Sequence, residues 1–180
     1  NIALEEDSVL SLAYAYRQLG TIEQIEEEFK RVAERAGMLK HHERAIQFLV
    51  LAGRINLVDE KEPEAAASSF EQALAIGLAT AFRRAMQFDK HTEQPELAPE
   101  VYIIFREICL AVNDTIQRED WSVAREFYQT LFNMLKSREI FDEVLVQYLS
   151  PIGSYLEEMP QQPFMEYLSV VWSQFRNNVE

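Results

Sequence analysis

The stretch LAGRINLVDEKEPEAAASSFEQALAIG, residues 51–77, decides the fold predicted for this chain. It contains two segments in which apolar residues recur every three or four positions, the spacing of one face of an α-helix. An acidic turn over 59–62 separates them, and Pro63 stands in the first turn of the second segment, where helices favour proline. Small residues such as Gly53 and Ala66 stand where two antiparallel helices would touch. The stretch therefore predicts a helical hairpin.

The preceding part of the chain repeats this pattern. Apolar residues recur at helical spacing over residues 4–19, Gly20 ends that helix, and Thr21 is the predicted N-cap of the next one. Glutamates gather at the start of this second helix, where the helix dipole favours negative charge. Because the connection is short, we expect the two helices to pack antiparallel.

Further helices are predicted downstream. Residues 96–135 carry two apolar stripes at helical spacing, with Asp120 as the N-cap between them. Before this pair, the helical spacing continues past Gly77, which predicts either one long kinked helix or a separate short one. These segments indicate a chain built almost entirely of helices.

A loop is predicted at residues 89–99, which contain two prolines and few apolar side chains. It is the candidate hinge between the lobes 1–88 and 100–180. The loop is too short to require two domains, and 180 residues suit one domain. We therefore predict a single helical domain over residues 1–180.

The C-terminal part is predicted to hold two helices. The first, over 138–149, is expected to kink or end at Pro151 and Gly153. The second, over 164–177, has an apolar face that is too hydrophobic to leave in water. This face either caps the stack or docks on another molecule, and its residues are Phe164, Leu168, Trp172 and Phe175.

The order of residues resembles the tetratricopeptide repeat, a family of helical hairpins with small and aromatic residues at fixed positions. The residues that carry the resemblance are Val9, Leu12, Ala13, Tyr16, Gly20 and Phe29 in the first pair, Gly53, Ala66, Phe70 and Ala73 in the second, and Trp121, Ala124 and Tyr128 in the third. Asn56 takes the place of a family aromatic, and the copies are spaced more widely than in the family. The resemblance implies an all-α fold of about eight helices, in which antiparallel hairpins stack as a right-handed superhelix.

Charge and composition limit the partners. The formal net charge is −13, from 30 acidic and 17 basic residues, so the average field repels phosphate backbones and anionic membranes. We therefore expect no nucleic-acid and no membrane partner. A solvated acidic surface is the simplest interpretation of the charge, and a basic protein or peptide partner is the alternative.

Processing signals are not evident. The chain has no apolar run of about eighteen residues and a single cysteine, so we expect a cytoplasmic protein without a signal peptide or membrane span. Because it starts without methionine, we also expect either a domain excised from a longer chain or a processed chain.

Catalytic and metal-binding patterns are missing from the sequence. His41 and His42 are adjacent, so on a helix they diverge by about 100° and cannot chelate one ion together. Cys109 lies within an apolar run and is expected to be a core residue with an unreactive thiol. Glycine-rich phosphate loops and a serine nucleophile elbow are also absent. We therefore predict a non-enzymatic protein without a metal or cofactor.

The main functional hypothesis is an interaction module. The resemblance implies a concave surface lined by the first helix of each hairpin, on which a peptide or a partner helix lies. Plain solvated surface is the alternative for each position. The candidate partner-binding residues are Tyr14, Arg17, Gln47, Arg54, Asn56, Tyr102 and Arg106.

Two other functions stay open. The chain is alternatively the ligand- or peptide-sensing regulatory domain of a larger bacterial signalling or transcription-regulating protein, a hypothesis that the termini motivate. The third hypothesis is self-association, in which the apolar face around Trp172 pairs with a second copy to form a homodimer.

Overall fold

The structure is a computed structural model, which describes residues 42–88, 99–138 and 143–177. In these ranges the chain is helical and contains no strand, so the predicted all-α class is confirmed. The two helices predicted between residues 4 and 35, and all of the candidate hinge except Pro99, lie outside the described residues. The elements are α1 (His42–Arg54), a π-helical segment (Ile55–Glu60), α2 (Pro63–Phe88), α3 (Pro99–Gln117), α4 (Trp121–Ser137), α5 (Glu143–Glu158) and α6 (Phe164–Asn177).

Helix α2 is the centre of the described structure. It packs against α1, α3 and α4, while α1 also packs against α3, and α3 against α4. These contacts place α1 and α3 in one layer and α2 and α4 in a second layer. Consecutive helices thus form two hairpins, α1 with α2 and α3 with α4, and α5 continues from α4.

The tightest helix contact lies between α1 and α2, at Gly53. A Cβ atom at this position would lie 2.7 Å from Cε2 of Phe70, so α1 approaches the ring as closely as it does only because residue 53 has no side chain. On its other side, the Phe70 ring makes an edge-to-face contact with Phe127 of α4, with the centroids 5.7 Å apart. Phe70 therefore joins three helices, and its contact with Gly53 lies between the two helices of the predicted hairpin.

The π-helical segment ends α1. The first helix of the predicted hairpin is thus an α-helix up to Arg54 that widens into a π-helix from Ile55. The segment stops at Lys61, which has a left-handed backbone with φ of 59°. The backbone N–H groups of Lys61 and Glu62 both bond to the carbonyl oxygen of Asn56, which satisfies the end of the helix.

The structure decides between two pairs of predicted alternatives. Helix α2 is one long helix that continues past Gly77, and α5 does not end at Pro151 but continues to Glu158. Gly153 does not end the helix either, because its role is steric: a Cβ atom there would lie 2.5 Å from the Tyr128 ring of α4. Proline and glycine disfavour a helix at their own positions, but the packing of α5 against α4 outweighs this local preference.

Asp120 occupies the predicted N-cap position of α4, but its side chain does not cap the helix. Asp120 is the residue before α4, and it makes no side-chain capping hydrogen bond. Its Oδ1 instead accepts a hydrogen bond from Lys61 Nζ at 3.1 Å. Asp120 therefore ties the turn after the π-helical segment to the turn before α4.

Helix α6 has the bounds predicted from the sequence, and its apolar face lies inside the chain. Phe164 and Leu168 are buried, so these two side chains are not available to a second copy. The Trp172 ring lies 5.7 Å from that of Phe105 in α3 and 6.0 Å from that of Tyr148 in α5, measured between centroids. Of the two predicted alternatives, the described part of this face caps the helices before it.

The contact between Gly53 and Phe70 can be tested by substitution. Alanine is a better helix former than glycine by about 1 kcal/mol, but its Cβ would overlap the Phe70 ring. We expect Gly53→Ala to lower the free energy of unfolding by about 1–3 kcal/mol in urea denaturation, because the ring or the helix must shift.

A Phe70→Leu background is the control for this substitution. The smaller side chain leaves room for the added methyl group, so Gly53→Ala should cost less there than in the natural chain. Equal costs in the two backgrounds would show that Gly53 and Phe70 are not in close contact.

Candidate functional site

Helices α1 and α3 lie side by side and run in the same direction. Arg54, the last residue of α1, donates hydrogen bonds to Glu107 at 3.2 Å and to Asp114 at 3.0 Å. Further along both elements, Arg118 donates to the carbonyl oxygen of Val58 at 2.7 Å and to Asp59 at 3.1 Å. Contacts that advance together along both elements show that the two are parallel neighbours.

One side of α3 faces away from the core. With about 100° between successive residues, its fully buried residues occupy one half of the helix. The other half carries Tyr102 and Ile103, which are 47% and 58% exposed, followed by the exposed Arg106 and the half-buried Leu110. We call these four residues the α3 strip. Large apolar side chains as exposed as Tyr102 and Ile103 are few in the described chain.

Three neighbouring helices flank the α3 strip, α1 on one side and α5 and α6 on the other. On one side, Glu107 and Asp114 point towards α1, where they hold Arg54. On the other side, Phe105 contacts Tyr148 of α5 and Trp172 of α6. The α3 strip is therefore an exposed surface between α1 and the C-terminal helices.

Helix α1 extends this surface with a polar side chain. Gln47 is exposed and lies two helical turns before Arg54. Because α1 and α3 are parallel, Gln47 lies level with the part of α3 that carries Tyr102 and Arg106. The structure thus brings Gln47, Arg54, Tyr102 and Arg106, four of the residues predicted from the sequence, onto one surface, which we call the α1–α3 surface.

The other predicted residues lie elsewhere. Asn56 is fully buried in the π-helical segment, beneath the surface that a partner would contact. Neither its Oδ1 nor its Nδ2 has a hydrogen-bond partner. Tyr14 and Arg17 lie outside the described residues, and so does the side chain of Phe175.

The two arginines of the α1–α3 surface differ in their surroundings. Arg54 is held by two carboxylates, Glu107 and Asp114, and its side chain is only 30% exposed. Arg106 is exposed and makes no hydrogen bond or ion pair within the described part of the chain. Arg54 therefore serves to join α1 to α3, while Arg106 remains available to another molecule. Sequence spacing singled out both arginines but could not distinguish these roles.

The described side chains offer few groups suited to catalysis or to metal binding. Cys109 is fully buried, and burial raises the pKa of its thiol far above the ordinary value, so it stays protonated near neutral pH. Within the described ranges, no group of three or more His, Cys, Asp or Glu is placed to hold a metal ion. The helices there also include none that is long and apolar enough to cross a membrane.

The buried amide of Asn56 leads to a first prediction for this region. An unpaired buried amide costs about 1–3 kcal/mol, so Asn56→Leu, which keeps a similar shape, should raise the free energy of unfolding by about that amount in urea denaturation. As a control, Asn113→Leu changes a half-buried asparagine of α3 and should have little effect. A destabilised Asn56→Leu variant would show that the amide has a partner after all.

The anchoring of Arg54 leads to a second prediction. We expect Arg54→Met to lower the free energy of unfolding by about 1 kcal/mol, because it leaves Glu107 and Asp114 without their cation, whereas Arg106→Met should cost less than about 0.5 kcal/mol. The loss at Arg54 should shrink as salt is added, because salt screens partly exposed pairs. Equal losses for the two variants would contradict the different roles assigned to them.

Comparison of the chain with protein-family models, curated proteins and solved structures returned no match. The resemblance to tetratricopeptide repeats therefore stays a prediction.

Proposed function

We propose that this protein is a non-enzymatic protein–protein interaction module, and that its α1–α3 surface binds a peptide or a helix of a partner. The observation that carries the proposal is the exposure of Tyr102 and Ile103 beside Arg106. Residues that dominate binding energy at interfaces are enriched in tyrosine and arginine, and they lie among apolar contacts that exclude water. The α3 strip has this composition.

The chemistry of the surface suggests what the partner presents. The aromatic ring of Tyr102 and the side chain of Ile103 offer an apolar contact, while Arg106 offers five N–H donors that have no partner among the described residues. A matching segment has an apolar side chain next to a carboxylate or a backbone carbonyl. The net charge of −13 also favours a partner that is basic as a whole, because long-range attraction speeds association.

We further propose that the helices belong to a tetratricopeptide-like array of about eight helices that winds as a right-handed superhelix. The arrangement of α1 to α4 supports this: two hairpins, with the first helices in one layer and the second helices in the other. Helix α6 departs from a regular array, because it packs against α3 as well as α5. A cytoplasmic location is part of the same proposal.

Selection of peptides against the protein tests the proposed surface. Peptides selected from a random library displayed on phage should bind with an affinity that falls at least about tenfold in Ile103→Ser and in Arg106→Glu, the usual cost of losing a central contact. Lys136→Glu is the matched control, because it makes the same change of charge at an exposed site on α4. Isothermal titration calorimetry measures each affinity.

Two results would count against the proposal. In one, the selected peptides bind Ile103→Ser and Arg106→Glu as tightly as the natural chain, so that they bind elsewhere. In the other, sedimentation shows a dimer that Ile103→Ser dissociates, so that the α3 strip is the contact between two copies.

A further inference from the structure

A second cleft lies in the other layer, between α2 and the end of α4. It has a volume of about 490 Å³, within the range of sites that hold small ligands, which is roughly 300–1,000 Å³. Its lining residues are Ser68, Glu71 and Gln72 from α2 and Met134, Ser137 and Arg138 from the end of α4. We call it the α2–α4 cleft. The α1–α3 surface contributes nothing to it.

The α2–α4 cleft contains a buried carboxylate. Glu71 is only 4% exposed, although it carries a formal charge. Its Oε1 lies 2.8 Å from Nε of Arg138, but the two atoms are not aligned for a hydrogen bond, and Oε1 has no hydrogen-bond partner. A carboxylate this far from water costs several kcal/mol unless its charge is paired and its oxygen atoms are hydrogen-bonded. Glu71 is therefore paired in charge but incompletely bonded.

The cation paired with Glu71 is only partly shielded from water. Arg138 is the first residue after α4, with an extended backbone, and its side chain is half exposed. It is the one basic residue in the lining of the cleft. Two polar side chains beside it form hydrogen bonds within their own helices, because Gln72 donates to Ser68 and Ser137 donates to the carbonyl oxygen of Met134. A cation that aligns better with the carboxylate of Glu71 could pair with it by displacing Arg138.

We propose that the α2–α4 cleft binds the guanidinium group of an arginine from a basic partner, which takes the place of Arg138 on Glu71. A guanidinium group fits because it pairs with a carboxylate through two parallel N–H bonds, which the contact with Arg138 does not provide. The acidic net charge of the chain favours the approach of such a partner. This site is independent of the binding proposed for the α1–α3 surface.

The test uses acetyl-arginine-amide as the probe and its neutral isostere, acetyl-citrulline-amide, as the control ligand. Amide chemical shifts of residues 68–72 and 134–138 are followed during titration of the whole chain. The arginine probe should shift these signals in a saturable way, and the citrulline analogue should not.

Two pairs of variants make the test specific. Glu71→Gln should weaken binding of the arginine probe at least about tenfold, whereas Glu126→Gln, which removes the same charge at an exposed site on α4, should leave it unchanged. Arg138→Ala should tighten binding by about tenfold, because the internal competitor is gone and the cleft is open all the time. Lys136→Ala removes the same charge two residues away and should not change the affinity for the arginine probe.

The following results would overturn the proposal: no saturable shift with the natural chain, equal binding by Glu71→Gln and Glu126→Gln, or weaker binding by Arg138→Ala. The last result would mean that the pair of Glu71 and Arg138 only stabilises the fold. Failure of this site would leave the peptide selection on the α1–α3 surface unaffected, because the two tests use different probes and variants.

Discussion

The contact between the Phe70 ring and the backbone at Gly53 is the constraint on which the described structure depends. Phe70 lies in α2, and its ring touches α1 on one side and Phe127 of α4 on the other. A larger residue at 53 would push α1 away from the ring and open the space between the layers. Since α2 also packs against α3, the position of this one ring fixes how four helices sit together.

The exposed surface follows from that packing. Because α2 and α4 cover one side of α3, and Arg54 holds α1 along its edge, the described helices leave the outer half of α3 in contact with water. On the side of α3 that faces the C-terminal helices, Tyr148 of α5 and Trp172 of α6 pack against the Phe105 ring. Tyr102, Ile103 and Arg106 are thus left exposed by the arrangement of their neighbours, and apolar side chains in such a place commonly mark a site of interaction.

The features that could be predicted from the sequence are those with a local cause. The periodic apolar stripe of α3 and the bounds of the last helix follow from spacing along a single helix. Gly53 is expected at a contact between two helices because it is small and stands in a predicted hairpin. The features that were missed depend on residues far apart in the chain. Asp120 pairs with Lys61 instead of capping α4, α5 continues through Pro151 while it packs on α4, and the buried Glu71 pairs with Arg138, which follows α4.

Asn56 shows the same limit. Its polar side chain, at a position where the family has an aromatic residue, made it a candidate for contact with a partner, and spacing alone could not show whether it is exposed. The structure buries it in a π-helical turn and pairs neither of its amide atoms. Turns of this kind occur often at functional sites, but the described side chains around this turn do not form a ligand-binding site.

Hydroxyl-radical footprinting, which measures the accessibility of individual side chains, tests most directly the claim that the outer half of α3 is an open surface. Tyr102 and Tyr155 are a matched pair of one residue type, the first 47% exposed and the second buried against Phe164. The account predicts that Tyr102 is oxidised much faster than Tyr155 in the folded protein. Equal rates, or protection of Tyr102 in the protein alone, would mean that another part of the chain or a second copy already covers this surface.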